Sequence, residues 1–499
     1  MSFEDDLATL NINVNSDDAK PLYQQLAAQI RNLIHSQRLA SGEQLPSSRK
    51  LALLLSISRT SALNVYNQLI AEGLLVTRPG AGIFVTTLGN SAADYPTVSI
   101  TPSDCSDKKV AIEAIKNRGI FDAGPDVEQF PFAEWSRSLS RVWRRPDPAL
   151  LREFHLGGYL PLRQAVTRYI KAVRDVECHP DQVIITAGNR DALALIAKAM
   201  LAVGDKVSLE NPCYPPLRHG LTAQGADIRY SPVDIQGMAV PDEKVKLAWM
   251  TPARQYPLGV TMSTERRLDW LEYSRQHQCW LVEDDYDSEF QYHKTPLVPL
   301  FNLSTQLYPP QQQSVILVGS FSKLLFRTLR IGYLIVPRNL ITSFQSAQEH
   351  LGSLASVPIQ PALADFLAHR RFASHLRRMR RCYQQRRDFL HSALSNKLGD
   401  RLTSELPDCG MSLLARLTSH DPARDDIWLE QQLLKQGISA PALSKHYLST
   451  DGVLEGNVSK DCASKNHETQ GQQGLLLGFS GVSESNLELG VSHLERLLK

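Results

Sequence analysis

From about residue 118 onward, short apolar runs alternate with longer amphipathic ones, and this rhythm restricts the fold more than any single motif does. VIIT at 183–186, WLVE at 280–283, VILVG at 315–319 and IGYLIV at 331–336 have the length and content of buried strands. Strands separated by helical stretches predict an α/β domain. The 499 residues exceed what one ordinary core organises, so two or three domains are expected. Three zones divide the chain: a compact, helically patterned segment (1–86, core about 20–86), a polar, proline-dotted linker (87–117), and the α/β zone (118–499). Within the last, a polar stretch at about 450–473 reads as an insertion or loop.

Total charge is only +2, but it is unevenly placed. Lys20, Arg31, Arg38, Arg49, Lys50, Arg59 and Arg78 face only Glu43 and Glu72 between positions 20 and 86, a local balance of +5. The acidic group Glu4, Asp5, Asp6, Asp17 and Asp18 hides this asymmetry. The seven cysteines are scattered, odd in number and without a Cys-x-x-Cys pair, which argues against a zinc site and against a secreted disulfide framework. No signal-like stretch opens the sequence, and no run approaches the roughly 20 apolar residues of a membrane span. A cytoplasmic protein without a metal site is expected.

Pro21 opens a helix whose Leu22, Leu26, Ile30, Leu33 and Ile34 fall on one face. A short second helix, capped at Ser47 or Ser48, buries Leu51, Ala52 and Leu55. Ser58 caps a third, from Arg59 to Glu72, which buries Ala62, Val65 and Leu69 and stops at Gly73. Two β segments, LLV and IFV, follow around TRPGAG. Three helices and a hairpin in this order predict a winged helix-turn-helix with its third helix in a major groove. Ser58, Arg59 and Thr60 form that helix's exposed first turn, suited to phosphate. Arg49 and Arg78 are placed to clamp neighbouring phosphates, and Arg59 or Asn64 to read a base edge. A small interaction domain with solvated arginines fits the bare pattern too. The strings LPSSR, SRT, L-x-x-EGL and G-x-G-x-F-V, in that order over roughly 65 residues, make this segment resemble the DNA-binding domain of GntR-type bacterial regulators. The resemblance implies operator DNA as a partner, with RNA polymerase as a further one.

In the α/β zone four elements carry chemistry. In GSFSK, Lys323 stands just past an apolar strand, where an amine loses solvation and its pKa falls. Ser320 and Arg330 flank it as candidate phosphate holders. Ser-x-x-Lys alone equally suits serine β-lactamase chemistry or a solvated lysine. In WLVEDDYD a strand ends in carboxylates before Tyr286, which suits either a pyridine-nitrogen partner or a magnesium site. In TAGNRDAL a strand turns at Gly188 into a helix, so that the N–H groups of Gly188, Asn189 and Arg190 can meet a phosphate. In ENPCYPPL, Tyr214 is placed to stack on a flat ring.

The order and spacing of these elements, with FDAGPDVEQFPFAEW, GGYLPLRQAV and TPARQYPLGVTMS, resemble fold-type I aminotransferases from about residue 118 onward. With the N-terminal match, nearly the whole chain resembles the MocR subfamily of GntR regulators. The resemblance implies a mainly parallel sheet in a large subdomain (about 160–345), a smaller C-terminal α+β subdomain (about 370–499), and pyridoxal 5′-phosphate as cofactor. It implies Lys323 as the Schiff-base lysine, Asp284 (with Asp285 as competitor) on the pyridine nitrogen, Tyr286 on the 3′-oxygen and Tyr214 on the ring. Ser320, Arg330 and the Gly188–Arg190 backbone would hold the phosphate, and Tyr159 would reach the other subunit's site in a homodimer.

Two positions depart from that pattern. GLLLGFS puts Leu476 where aminotransferases carry a carboxylate-gripping arginine, a role left to Arg254 or Arg416. TPARQYPLG offers Gln255 or Tyr256 in place of the usual asparagine. Both point away from efficient transamination and toward a regulator that senses pyridoxal phosphate, an amine or an amino acid through Lys323. A working aminotransferase with an accessory DNA-binding domain is the second reading, and a cofactor-less dimerisation domain the third.

Overall fold

The computed structural model describes residues 21–36, 38–86, 120–292, 298–352, 355–419, 421, 423–447 and 472–499. The expected linker at 87–117, and nearly all of the polar stretch at 450–473, lie outside the described residues. Contacts divide the chain into two units, Met1–Ser103 and Asp104–Lys499.

In the first unit, α1 (Leu22–His35) buries Leu26, Ala27, Ile30, Leu33 and Ile34, the spacing of one helical face. The hydroxyl of Ser47, rather than Ser48, caps α2 (Ser48–Leu54) by accepting from the Lys50 N–H. Ser58 caps α3 (Arg59–Ala71), accepting from the Ser61 N–H at 3.0 Å. Tyr66 joins Ala62, Val65 and Leu69 in the core, and its hydroxyl donates to the Pro46 carbonyl at 2.7 Å, tying α3 to the turn before α2. Strands β2 (Leu75–Arg78) and β3 (Gly82–Val85) form the expected hairpin. A third strand, β1 (Gln44–Leu45), pairs with β3; two residues are too short a run to register as a strand in sequence. Leu26, Leu51 and Leu69 are fully buried, each stabilising the unit by about 1.5–3 kcal/mol.

The second unit is built on an eight-stranded sheet: β4 (Val183–Thr186), β5 (Lys206–Asn211), β6 (Asp227–Asp234), β7 (Gly237–Met238), β8 (Leu247–Met250), β9 (Trp280–Asp285), β10 (Val315–Ser320) and β11 (Gly332–Ile335), in the order β4-β11-β10-β9-β8-β5-β6-β7. The run from β10 through β9, β8 and β5 to β6 is parallel, and β11 is antiparallel to both its neighbours. Helices cover both faces, which is why the strands read as unbroken apolar runs. Val183 and Ile185 pack with the helix Leu160–Arg174, whereas Ile184 packs with the helix Asn189–Met200. Toward the C-terminus β12 (Leu402–Ser404), β13 (Ser412–Leu417) and β14 (Gly474–Gly478) form a second, antiparallel sheet beside the helices Arg370–Leu398 and Glu484–Leu498. No described helix is long and apolar enough to cross a membrane.

Candidate functional site

The parallel strands end together, and the loops leaving β4, β5, β8, β9 and β10 bring most of the expected site residues to that edge. Register separates the two aspartates. Asp284 of β9 lies opposite Val318 of β10, and Ser320 lies opposite Gly332, itself opposite Thr186. Because strand side chains alternate, Asp284, Ser320 and Thr186 share one sheet face and Asp285 turns to the other. There Asp285 meets the buried Arg174, Nε to Oδ2 3.2 Å, while its Oδ1 has no hydrogen-bond partner among the described residues. The Trp249 indole donates to Asp284 Oδ2 at 3.3 Å, while Oδ1 is buried with no partner among the described residues. Burial pushes the Asp284 carboxyl up to about 7. A cationic ring nitrogen alongside would reverse that shift.

Lys323 sits in the loop after β10 and donates from Nζ to the Ala123 carbonyl at 3.3 Å. Burial lowers its pKa, partly opposed by the Asp287 carboxylate. Ser322, which the sequence reading passed over, has a buried hydroxyl without a partner among the described residues, and so does Thr186. Gly188 starts the helix Asn189–Met200 at φ +93°, and a Cβ there would come within 3.2 Å of the Arg330 guanidinium. The Arg330 side chain therefore lies against the turn whose first N–H groups have no intrahelical acceptor, a cation and a helix N-terminus converging on one spot.

Tyr214, about half exposed, stands perpendicular to Tyr256 at 5.5 Å, and Tyr256 stands perpendicular to Tyr286 at 6.0 Å. The Tyr286 hydroxyl accepts from Arg254 at 3.2 Å. His446 completes this wall: its Nε2 lies 3.2 Å from the Tyr256 hydroxyl and its Nδ1 3.0 Å from the Ala442 carbonyl. Burial lowers the His446 pKa, favouring the neutral ring with Nδ1–H donating and Nε2 accepting. Tyr159 does not join this group. It stands at the N-terminal boundary of the helix Leu160–Arg174, its N–H donates to Gln360 at 2.8 Å, and it lines a separate cavity of about 400 Å³ with Arg141, Arg145 and Arg168.

In the first unit Arg49, Ser58, Arg59, Thr60, Asn64 and Arg78 are all exposed. The Ser58 hydroxyl is engaged as the cap, and the Arg78 guanidinium lies over the Phe84 ring at 4.7 Å.

Known proteins share both units. The profile of bacterial regulatory proteins of the gntR family matches residues 22–85, and that of aminotransferase class I and II matches 144–453. The probable rhizopine catabolism regulatory protein MocR of Rhizobium meliloti is 32% identical over 96% of this chain and 94% of its own. The HTH-type transcriptional regulator YdeL of Bacillus subtilis is 31% identical over 96% and 97%. The chain belongs to the MocR type of GntR-family transcriptional regulators. The HTH-type pyridoxine biosynthesis transcriptional regulator PdxR of Corynebacterium glutamicum is 30% identical over 91% of the chain and 94% of its own. Among solved structures, an archaeal alanine:glyoxylate aminotransferase covers 78% of this chain and 94% of its own at a TM-score of 0.66 and 24% identity, which shows the fold. This MocR-type chain is thus a helix-turn-helix regulator whose large unit has the fold-type I aminotransferase architecture.

The two departures from the aminotransferase pattern take a definite form in this regulator. Leu476 is buried in β14, opposite Leu414. Arg254 does not stand free to replace the missing arginine: Nη1 reaches Asp287 at 3.0 Å and Tyr286, and Nη2 donates to the Ser412 carbonyl at 2.7 Å. Gln255 is likewise taken up by the protein, its Nε2 donating to the Pro212 and Tyr256 carbonyls and to Glu210. Of the two offered residues, Tyr256 faces the site. Arg416, on β13 of the small sheet, reaches Gln472 just before β14.

Proposed function

We propose that this regulator binds operator DNA through α3 and the β2–β3 wing, and senses small amines or pyridoxal phosphate itself in the large unit. The observation that carries the sensor reading is the buried, half-partnered carboxylate of Asp284 on the same sheet face as Ser320 and Thr186. A native fold leaves few buried polar groups unbonded, so such an atom at a strand end suits a bound cation. Asp284 would hold the pyridine nitrogen, Tyr286 the phenolic oxygen, and Tyr214 the ring face. Ser320, Ser322, Thr186, Arg330 and the first-turn N–H groups of Asn189 and Arg190 would hold the phosphate, and Lys323 would face the aldehyde. Bound pyridoxal phosphate supplies an aldehyde that reacts with amines and a ring that withdraws electrons.

An amine held in place of the Lys323 amine would leave the Lys323 side chain free to move, and a ligand shifts an equilibrium only where it binds two states differently. His446 lies on the C-terminal side of the site against Tyr256, so this pair is where such a change would be felt. Exposed Leu151, Phe154 and Leu160, the second 85% accessible, flank Tyr159 and support a homodimer with paired half-sites. A regulator of DNA is assigned to the cytoplasm.

The test is an anisotropy titration of the full chain on a labelled operator fragment, with and without pyridoxal phosphate and with added amines. A change of several-fold in Kd on adding cofactor or amine is expected. An operator affinity indifferent to all of them would remove the sensor role.

A further inference from the structure

Resting on the DNA-binding reading, we infer that α3 reads an A·T-bearing half-site, with Asn67 on an adenine and Leu63 on a thymine methyl group. Thr60, Leu63, Asn64 and Asn67 stand at i, i+3, i+4 and i+7 of α3 and so form one stripe along its surface. All four are exposed, opposite the buried Ala62, Val65, Tyr66 and Leu69. Leu63 is 40% accessible in a face that is otherwise polar. Among the described residues the side chains of Thr60, Asn64 and Asn67 have no hydrogen-bond partner, so their donors and acceptors point outward unused.

Charge surrounds this stripe but does not enter it. Arg59 begins the helix, Arg49 and Lys50 lie on α2, and Arg78 ends β2. Phosphates call for that cationic rim, whereas base edges in the major groove are neutral arrays of donors, acceptors and thymine methyls. Guanine is read by the fork of an arginine or by a lysine, and the stripe contains neither. Asparagine matches the N6 donor and N7 acceptor of adenine at once, and an apolar side chain matches the thymine methyl. Asn67 lies near the middle of the exposed arc, about two turns into α3, with Leu63 one turn before it. Arg59, at the edge of the arc, is the one place on α3 suited to a guanine.

The experiment begins by recovering high-affinity duplexes for the full chain from a randomised pool. Single adenines in a recovered site are then replaced by 7-deazaadenine, which removes N7, and single thymines by uracil, which removes only the methyl group. For the native chain, 7-deazaadenine at one position should weaken binding about tenfold, and uracil at a neighbouring position about fivefold. Asn67→Ala should be indifferent to the first replacement and Leu63→Ala to the second, and neither variant should change the salt dependence, because neither side chain meets phosphate. Both are surface positions, and an unchanged unfolding midpoint verifies that the variants fold. A recovered half-site of G·C pairs alone, or variants that stay as sensitive to the base analogues as the native chain, would overturn the inference while DNA binding stands. Recovery of no duplex at all would overturn it together with the DNA-binding reading.

Discussion

At the scale of single residues, the site is a set of polar atoms held short of partners. Asp284 and Asp285 each keep one buried oxygen without a hydrogen-bond partner among the described residues, but the other oxygen of Asp284 accepts from the neutral Trp249 indole on the face of Ser320, whereas that of Asp285 meets the Arg174 guanidinium on the opposite face. Asp284→Asn should therefore raise the Kd for pyridoxal phosphate about 10- to 150-fold, the worth of one hydrogen bond to a charged group, in a titration of visible absorbance. An equal effect from Asp285→Asn would undo the assignment. Lys323 has its pKa lowered by burial, so more of its amine is neutral at a given pH than for a solvent lysine. The rate of cofactor capture should level off below the ordinary lysine value of about 10.4; a rise continuing past it would contradict the burial argument. Arg59→Ala should weaken operator binding at least tenfold, about 1–3 kcal/mol for a base contact. A gel-shift titration at fixed salt with unchanged affinity would remove Arg59 from the interface.

At the scale of elements, the sheet edge depends on β11, the strand that runs against its neighbours. Gly332 lies between Ser320 and Thr186, and a Cβ there would come 2.8 Å from the Gly319 carbonyl and 2.9 Å from Thr186 Oγ1. Gly332→Ala should lower stability by about 1–3 kcal/mol and weaken cofactor retention as well, as read by denaturant unfolding and by dialysis. Stability and retention both unchanged would show that the edge tolerates the methyl group. Elements of this kind were largely legible in sequence, because strands buried on both faces read as apolar runs and the catalytic-type residues follow them directly. Lys323, Tyr286 and Gly188 were placed just past strand ends that way. Which of Asp284 and Asp285 shares a face with Ser320 is a matter of alternation, fixed by the strand's bounds and register. What stayed hidden depends on contacts between distant segments. Nothing local distinguishes Tyr256 from Gln255 until Gln255 is seen bonded to Glu210, nor ties His446, 190 residues away, to Tyr256. Tyr66 was missed for the same reason, its hydroxyl being satisfied by Pro46 of the preceding turn.

At the scale of the whole molecule, buried acids tie stability to pH and to the ligand. Burial pushes Asp284 and Glu210 up to about 7, and Glu289 in the same direction. The folded chain therefore keeps protons that the unfolded chain releases above about pH 4, and stability falls as pH rises toward 7. His375, pulled down to about 4 by burial, acts oppositely between its two values, as do His446 and His493, but Glu283 and Asp287 are raised by burial too, leaving five carboxyls against three imidazoles. Thermal melts of the cofactor-free chain should give a higher midpoint at about pH 5.5 than at about pH 7.5, with the gap narrowed by pyridoxal phosphate as Asp284 gains a cationic partner. A midpoint that rises with pH would contradict this. Whether this DNA-binding regulator holds pyridoxal phosphate on Lys323 is read by borohydride reduction of the full chain after incubation with the cofactor, followed by peptide mass mapping. A single pyridoxyl adduct is expected on the peptide containing Lys323, absent from Lys323→Ala. An adduct spread over surface lysines and unchanged in that variant would contradict it.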